Sequence, residues 1–446
     1  MDYNERGNLE MGGCDLAKLA STYGTPLHVL DEEKVRARCV EYREAFQGEY
    51  GGVPGFRVAY AGKALCVRAV LEVVKSEGLY LDVCSGGELV TALSVGFPAE
   101  RIYFHGNNKS GEEMVLGIKR GVGTFVVDNW HELEELHRLC SRMKKRARIL
   151  VRVAPGVSAH THEYIDTGRS DSKFGFSLVE GDAIAAVKRA LKLESLHVAG
   201  LHCHIGSQVF NLESYTVAAW KMQELRWEIK EETGVELEEL NMGGGLGVKY
   251  VASDNPPTVS EYARVLASAV RESCEHYGLR LPMLTVEPGR SIVAEAGITL
   301  YRVGAVKLHR MGECYLIVDG GMFENPRHAL YGAQYTVVPV RKPATQVTRE
   351  FTVAGKCCES GDIIADKCKL PPLGPGDLVA VLCTGAYHYS MASNYNRFPR
   401  PAVVMVSKGR SALIVEREEY ADMANRDRMP AWLESRKLAK AMGQRP

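Results

Sequence analysis

A few residues in this chain are of the right type, in the right surroundings, to do covalent or acid–base chemistry. Lys63 stands among small neighbours in Ala61-Gly62-Lys63-Ala64. With little water around it an ammonium loses its proton more readily, and the amine can then attack a carbonyl, the first requirement of Schiff-base chemistry. A lysine that keeps its head in solvent is the plain alternative. Glu287 ends an apolar run, where a bare carboxylate is costly unless paired. It can form a salt bridge to Arg290 or face a protonated ring nitrogen. The run Gly243-Gly244-Gly245-Leu246-Gly247 lets backbone amides approach an anion with no Cβ in the way, and a helix N-terminus following it would add its dipole. Gly289, in the next loop, strengthens a phosphate reading, while a tight turn packed on a sheet remains the simpler one.

His202 and His204 lie two apart on an expected strand and so point the same way. Such a pair can bind a metal, His160 and His162 supply another, and a metal-dependent hydrolase is therefore a rival. A flat imidazole can equally stack on an aromatic cofactor. Further along, Cys357-Cys358-Glu359-Ser360-Gly361-Asp362 puts two thiols and a carboxylate at a strand end, where a turn with a buried thiol is the bland account. Arg327 and Tyr331, four apart, can share a helical face and offer a guanidinium fork and a phenol to a carboxylate, or form a surface pair.

These groups need elements to hold them. At roughly 150 residues per domain, 446 residues predict two or three domains. Short β-rich runs at 56–60, 79–83, 101–104, 124–127, 149–153, 197–202, 238–242 and 284–287 alternate with amphipathic stretches. Ser110-Gly-Glu-Glu113 and Thr258-Val-Ser-Glu261 read as capping boxes opening two of the helices. Eight strand–helix repeats predict an α/β fold with a closed parallel (β/α)8 barrel over 29–292, an open doubly wound sheet being the runner-up. Chemistry then belongs at the C-terminal strand ends, where Lys63, His204, the glycine run and Glu287 all fall. After 292 strands follow one another without helices, which predicts an antiparallel β domain over 293–446, joined by residues 1–28 and ending in a charged helical tail.

Lys plus Arg equal Asp plus Glu at 55 each, so no positive field exists to hold nucleic acid or an anionic membrane. A small molecule or a second copy of the chain is the expected partner. Twelve scattered cysteines with no Cys-x-x-Cys pair fit reduced thiols in a cytoplasm. The start has no basic segment leading into an apolar one, and no stretch is apolar enough to span a bilayer.

The chain closely resembles the diaminopimelate decarboxylase family, pyridoxal-phosphate enzymes with an alanine-racemase-like barrel and a β domain. The resemblance is carried by Tyr60-Ala-Gly-Lys63-Ala, Leu81-Asp82-Val-Cys-Ser-Gly-Gly-Glu88, His105-Gly-Asn-Asn-Lys-Ser110, His160-Thr-His-Glu-Tyr-Ile-Asp-Thr-Gly168, Ser172-Lys-Phe-Gly175 and His202-Cys-His-Ile-Gly-Ser207. Further on it is carried by Gly243-Gly-Gly-Leu-Gly247, Glu287-Pro288-Gly289-Arg290, Asn325-Pro-Arg327, Leu330-Tyr-Gly332, Cys358-Glu-Ser-Gly-Asp362 and Gly385-Ala-Tyr387. It implies that Lys63 carries pyridoxal 5'-phosphate, that His204 stacks on the ring and that Glu287 pairs with the ring nitrogen. Ser207, Gly243, Gly244, Gly245, Gly289 and Tyr387 would hold the phosphate, with Asp82 and Pro288 in the cofactor-binding segments. By the same resemblance Cys358 is the acid near Cα, Arg290, Arg327 and Tyr331 hold the distal carboxylate, and Glu359 the distal amine. The reaction implied is decarboxylation of meso-diaminopimelate to L-lysine, in a homodimer whose active sites are shared between subunits. A decarboxylase of ornithine, lysine or another basic amino acid, and a silent cofactor-binding homologue, are the remaining alternatives. Leu65-Cys66 and Phe323-Glu324 depart from the family pattern.

Overall fold

The computed structural model describes residues 2–52, 54–157, 172–310 and 313–433. His160 and His162 lie outside these residues, with the whole 160–168 segment and the tail beyond 433.

Eight parallel strands close on themselves: Phe56–Ala61, Tyr80–Val83, Ile102–Phe104, Thr124–Val127, Ala147–Ala154, Leu196–Cys203, Glu239–Asn241 and Met283–Val286. The last pairs with the first in the register Leu284 to Phe56 and Val286 to Val58, which closes the barrel. Every expected run coincides with one of these strands. Their near-continuous apolar sequences follow from burial on both faces, and Ala59, Tyr103, Val126, Leu150 and Ala199 fill the interior as a cluster of their own.

The expected helices cover the outside. Asp31 caps Glu32–Tyr50 by accepting from the amides of Glu33 and Lys34, and Val35, Cys39, Tyr42 and Phe46 turn one buried stripe toward the barrel. Burying one such side chain contributes about 1.5–3 kcal/mol. Both capping boxes form, at Ser110 with Glu113 and at Thr258 with Glu261. Lys109, in the same loop as His105, is fastened inside by Gly106 O at 2.8 Å, Val126 O at 2.9 Å and Glu132 Oε1 at 2.6 Å, so it anchors that loop.

One end of the barrel is plugged by polar groups. Glu239 is fully buried; its Oε2 accepts from Arg57 at 2.9 Å and Arg148 at 2.6 Å, and its Oε1 from Tyr103 at 2.6 Å and Thr285 at 2.8 Å.

The second sheet is largely antiparallel. Its longest strand, Gly297–Lys307, pairs antiparallel with Tyr315–Val318, with Leu378–Leu382 and with Leu27–Asp31. Two pairings are parallel: Leu27–Asp31 with Ala402–Ser407, and Tyr315–Val318 with Arg349–Ala354. Leu27–Asp31 was not expected as a strand. Neither was Ile363–Leu370, whose alternation is broken by Asp366, Lys367 and Lys369. Leu16, Leu19, Leu27, Val29, Ile298, Leu300 and Val404 form part of the core beneath this sheet. Beyond Tyr420 the described chain holds a short 3-10 turn at Tyr420–Met423 and the start of a helix at 431–433. No helix among the described residues is long and apolar enough to cross a membrane.

Candidate active site

The C-terminal strand ends open into a cavity of about 430 Å³ lined by Lys63, Asp82, His105, Arg152, His202 and His204, with Ser207, Glu287, Arg290, Arg327, Tyr331 and Tyr387 also on its wall. Lys63 sits in the 3-10 turn Gly62–Ala64 directly after the first strand. It lies deep in the protein, yet its side chain is open to the cavity. The expectation that its small neighbours would lower its pKa is corrected. Burial does pull the ammonium down, but Tyr387 when ionised, together with Asp82 and Glu287, raises it further, and the net direction is up.

Glu287 is held from three sides: His105 Nε2 lies 2.8 Å from Oε1, His202 Nε2 lies 3.1 Å from Oε2, and Asn241 Nδ2 donates to Oε1 at 2.7 Å. The alternative of a Glu287–Arg290 salt bridge does not form. Burial would raise this carboxyl, and the charges and hydrogen bonds of His105 and His202 overcome it, leaving Glu287 well below the usual carboxylate range. Burial lowers His202 to about 4. It takes His204 well below the ordinary imidazole value too, helped there by Lys63 and Arg152. Asp82 sits 3.7 Å from the same His105 nitrogen, Nε2, and burial pushes it up to about 6 against the pull of that histidine.

The glycine run forms a backbone cradle. A Cβ on Gly244 would stand 2.0 Å from Glu287 O, and one on Gly245 would stand 2.3 Å from Gly206 O, so only glycine fits. Gly243 and Gly245 also take left-handed φ values of 67° and 112°. Gly244 N donates to His204 Nδ1 at 3.3 Å. The expected helix dipole is absent, since the next helix starts only at Val259. Gly243 and Pro288 lie in the supporting loops, where Gly243 O accepts from Glu287 N at 2.8 Å and Pro288 O accepts from Ala61 N at 3.0 Å.

The second domain closes the cavity mouth. Tyr387 has a left-handed φ of 61°, a conformation costing a non-glycine residue of order 1 kcal/mol, and is pinned by its amide to Ala64 O at 2.9 Å. Its ring faces two guanidinium carbons, Arg290 at 4.8 Å and Arg327 at 5.6 Å. Arg290 Nη2 donates to Ser207 Oγ at 2.8 Å, and Arg327 Nε to the Tyr335 hydroxyl at 3.0 Å. Arg327 and Tyr331 share the short helix Arg327–Tyr331, as their spacing predicts, with the guanidinium 5.1 Å from the ring centre. Cys358 and Glu359 are exposed and are not part of this wall.

Residues 32–294 match the family model of the pyridoxal-dependent decarboxylase, pyridoxal binding domain. Over 95% of its length the chain is 46% identical to diaminopimelate decarboxylase of Halalkalibacterium halodurans, covering 96% of that protein. It is 45% identical to that of Bacillus subtilis, with the same shares covered. The crystal structure of the M. jannaschii diaminopimelate decarboxylase in co-complex with L-lysine superposes with a TM-score of 0.89 at 36% identity, covering 96% of this chain and 98% of that one. The chain belongs to the diaminopimelate decarboxylase family of pyridoxal-dependent decarboxylases.

The cavity of this decarboxylase fits the cofactor that its family uses. The cradle at Gly244 and Gly245 suits a phosphate, Glu287 stays ionised, and Lys63 opens into the same cavity. His105, His202 and Glu287 bring ligand atoms within 4.8 Å of one another, spacing that a metal ion could use. The family assignment sets the hydrolase aside, and close contact with the Glu287 carboxylate occupies both histidines. Sequence reading passed over His105, Arg152 and Asn241 as site residues. The available signal was polarity at the ends of apolar strands: Arg152 and Asn241 both interrupt such runs.

Proposed function

We propose that this decarboxylase converts meso-diaminopimelate to L-lysine and carbon dioxide in a cytoplasm, as a homodimer. The observation that carries the substrate is the pair Arg290 and Arg327, both about 5% exposed, on the cavity wall with the Tyr331 phenol. Two buried guanidinium groups call for an anionic partner, and a distal carboxylate supplies it. The names of the relatives agree with this reading.

Pyridoxal phosphate, when bound, supplies a conjugated ring that accepts the electron pair left as the α-carboxylate departs. Lys63 would hold the cofactor through its side-chain amine. Ser207, the Gly243–Gly245 turn, Gly289 and Tyr387 would receive the phosphate, Asp82 and Pro288 shape the surrounding loops, and His204 would stack on the ring. Glu287 keeps the proton on the ring nitrogen, which makes the ring a better electron acceptor. Arg290, Arg327 and Tyr331 orient the substrate by the carboxylate that the product keeps. Cys358 returns a proton to Cα and Glu359 binds the distal amine, both from a second copy of the chain. Their exposure, away from the cavity of their own chain, supports that sharing. The division of labour is between a barrel at 32–292 and a second domain formed by 1–31 with 293–446, the expected boundary at 28/29 moving because Leu27–Asp31 pairs within the second sheet.

The test is a substrate panel with carbon dioxide and product followed together. Diaminopimelate is expected to be decarboxylated fastest. Faster turnover of lysine or ornithine would reject this substrate and install the related basic amino-acid decarboxylase in its place.

A further inference from the structure

Asp362 is 3% exposed, and its carboxylate has no part in the reaction described above. Oδ1 accepts from Met322 N at 2.6 Å, and Oδ2 accepts from Cys357 N at 2.6 Å. The first amide belongs to the turn leading into the helix Arg327–Tyr331, the second to the loop that carries Cys358 and Glu359. Room for the carboxylate is made from both sides: a Cβ on Gly321 would stand 2.6 Å from Oδ2, and one on Gly355 only 2.3 Å from it. Main-chain bonds close the same seam, Lys356 N to Gly320 O at 3.0 Å and Gly355 N to Asp362 O at 2.9 Å. The half-buried Cys357 thiol bonds to Asp362 and to the backbone of Phe323.

The path from Met322 to Arg327 has little freedom to absorb a displacement. Glu324 is fully buried; it accepts from the Tyr301 hydroxyl, and its Oε2 faces His28 Nε2 at 3.3 Å. Asn325 N donates back to Gly321 O at 3.0 Å. A close-packed segment tied in this way passes a shift at one end on to the other.

The two segments tied by Asp362 face different places. Arg327 and Tyr331 line the cavity of their own chain, whereas Cys358 and Glu359 do not. We propose that Asp362 is a positioning residue for two active sites at once, holding Arg327 in its own chain's cavity and Cys358 with Glu359 over the cavity of a second copy. This rests on the shared-site reading. A carboxylate suits the task because it gives both amides charge-assisted bonds, while an asparagine would turn an N–H group toward one of them.

Mixed dimers separate the two roles. One chain carries Lys63→Ala and the other Cys358→Ala, each with its own tag, so the one intact site combines the barrel of the Cys358→Ala chain with the loop of the Lys63→Ala chain. Asp362→Asn is then added to either chain. On the Lys63→Ala chain it disturbs only the loop, and kcat is expected to fall roughly tenfold to a hundredfold, with a smaller rise in KM for diaminopimelate through Glu359. On the Cys358→Ala chain it disturbs only the Arg327 turn, and KM is expected to rise by a similar factor with a smaller change in kcat. Gly355→Ala, which crowds the same carboxylate, should reproduce both patterns. Alkylation of Cys358 by iodoacetamide, read on its peptide by mass spectrometry, should change rate several-fold in Asp362→Asn whether or not the protein turns over substrate. An effect that ignores which chain carries the substitution, as general unfolding would give, or one confined to a single placement, overturns the proposal. If the parent mixed dimer is inactive although the tags show exchange, it is the shared-site reading that fails, and the two-site role falls with it.

Discussion

His105 and Glu287 meet ring nitrogen to carboxylate oxygen at 2.8 Å, and Asp82 stands 3.7 Å from the same ring nitrogen. The three cavity groups nearest this contact respond to pH with opposite signs. Glu287, held below its ordinary range, adds stability that is present above about 4.5 and lost at lower pH. His202, lowered from 6.5 to about 4, leaves the unfolded chain binding more protons between those values, so stability rises with pH across that window. Asp82, raised from 3.8 to about 6, works the other way, and stability falls as pH rises between those values. The two slopes oppose each other. Urea midpoints measured from pH 4 to 7 should therefore climb more steeply with pH in Asp82→Asn than in the parent protein, and should flatten or reverse in His202→Asn. Unchanged profiles in both variants would contradict these protonation states.

Glu287→Gln keeps the shape of the side chain and removes its charge. Turnover is expected to fall by at least about a hundredfold, the scale on which loss of one charge-stabilising group in a closed site acts. Cofactor affinity, carried mainly by the phosphate cradle and Lys63, should change much less. Steady-state kinetics alongside cofactor titration by absorbance decides the matter, and equal turnover would mean that the carboxylate only supports the fold.

Arg327→Gln leaves the substrate's distal carboxylate with one arginine fewer. Losing a charged hydrogen bond costs about 2 kcal/mol, so KM for diaminopimelate should rise about thirtyfold. The measurement is KM for diaminopimelate in parent and variant. A variant with the parent's KM would place the carboxylate elsewhere.

Glu239→Gln concerns stability alone. Oε2 receives two arginines, and without its charge Arg57 and Arg148 lose their shared counterion. The expected destabilisation is about 3 kcal/mol, read from urea unfolding. Turnover per folded molecule should be unchanged, because this cluster lies away from the cavity wall.

The barrel was legible because burial on both faces writes each parallel strand as an apolar run, and because the capping boxes at Ser110 and Thr258 punctuate the helices between them. Lys63, His204, the glycine cradle and Glu287 were legible because strand ends are where polar residues stand out. Leu27–Asp31 was not, because a short strand in a segment of mixed pattern has no partner visible within its own neighbourhood: its two partners lie near 300 and 404. Ile363–Leu370 was hidden by the charges a sheet edge tolerates. The direction of the Lys63 shift was missed for a different reason. Its immediate neighbours are small and apolar, but the charges that decide it come from strands two and eight and from the second domain.

Leu27–Asp31 lies between a strand that begins at Gly297 and one that begins at Ala402. On the ribosome it emerges before the barrel strands, and both its edges stay open while the barrel is made. At about 5–20 residues per second that wait lasts on the order of tens of seconds. The second edge of Leu27–Asp31 is covered only when Ala402–Ser407 is out, so a nascent chain stopped short of that strand carries a finished barrel beside an open strand edge. Such edges recruit other strands. Premature termination between Met391 and Ala402 would then yield aggregates, even with every residue of the cavity wall already translated.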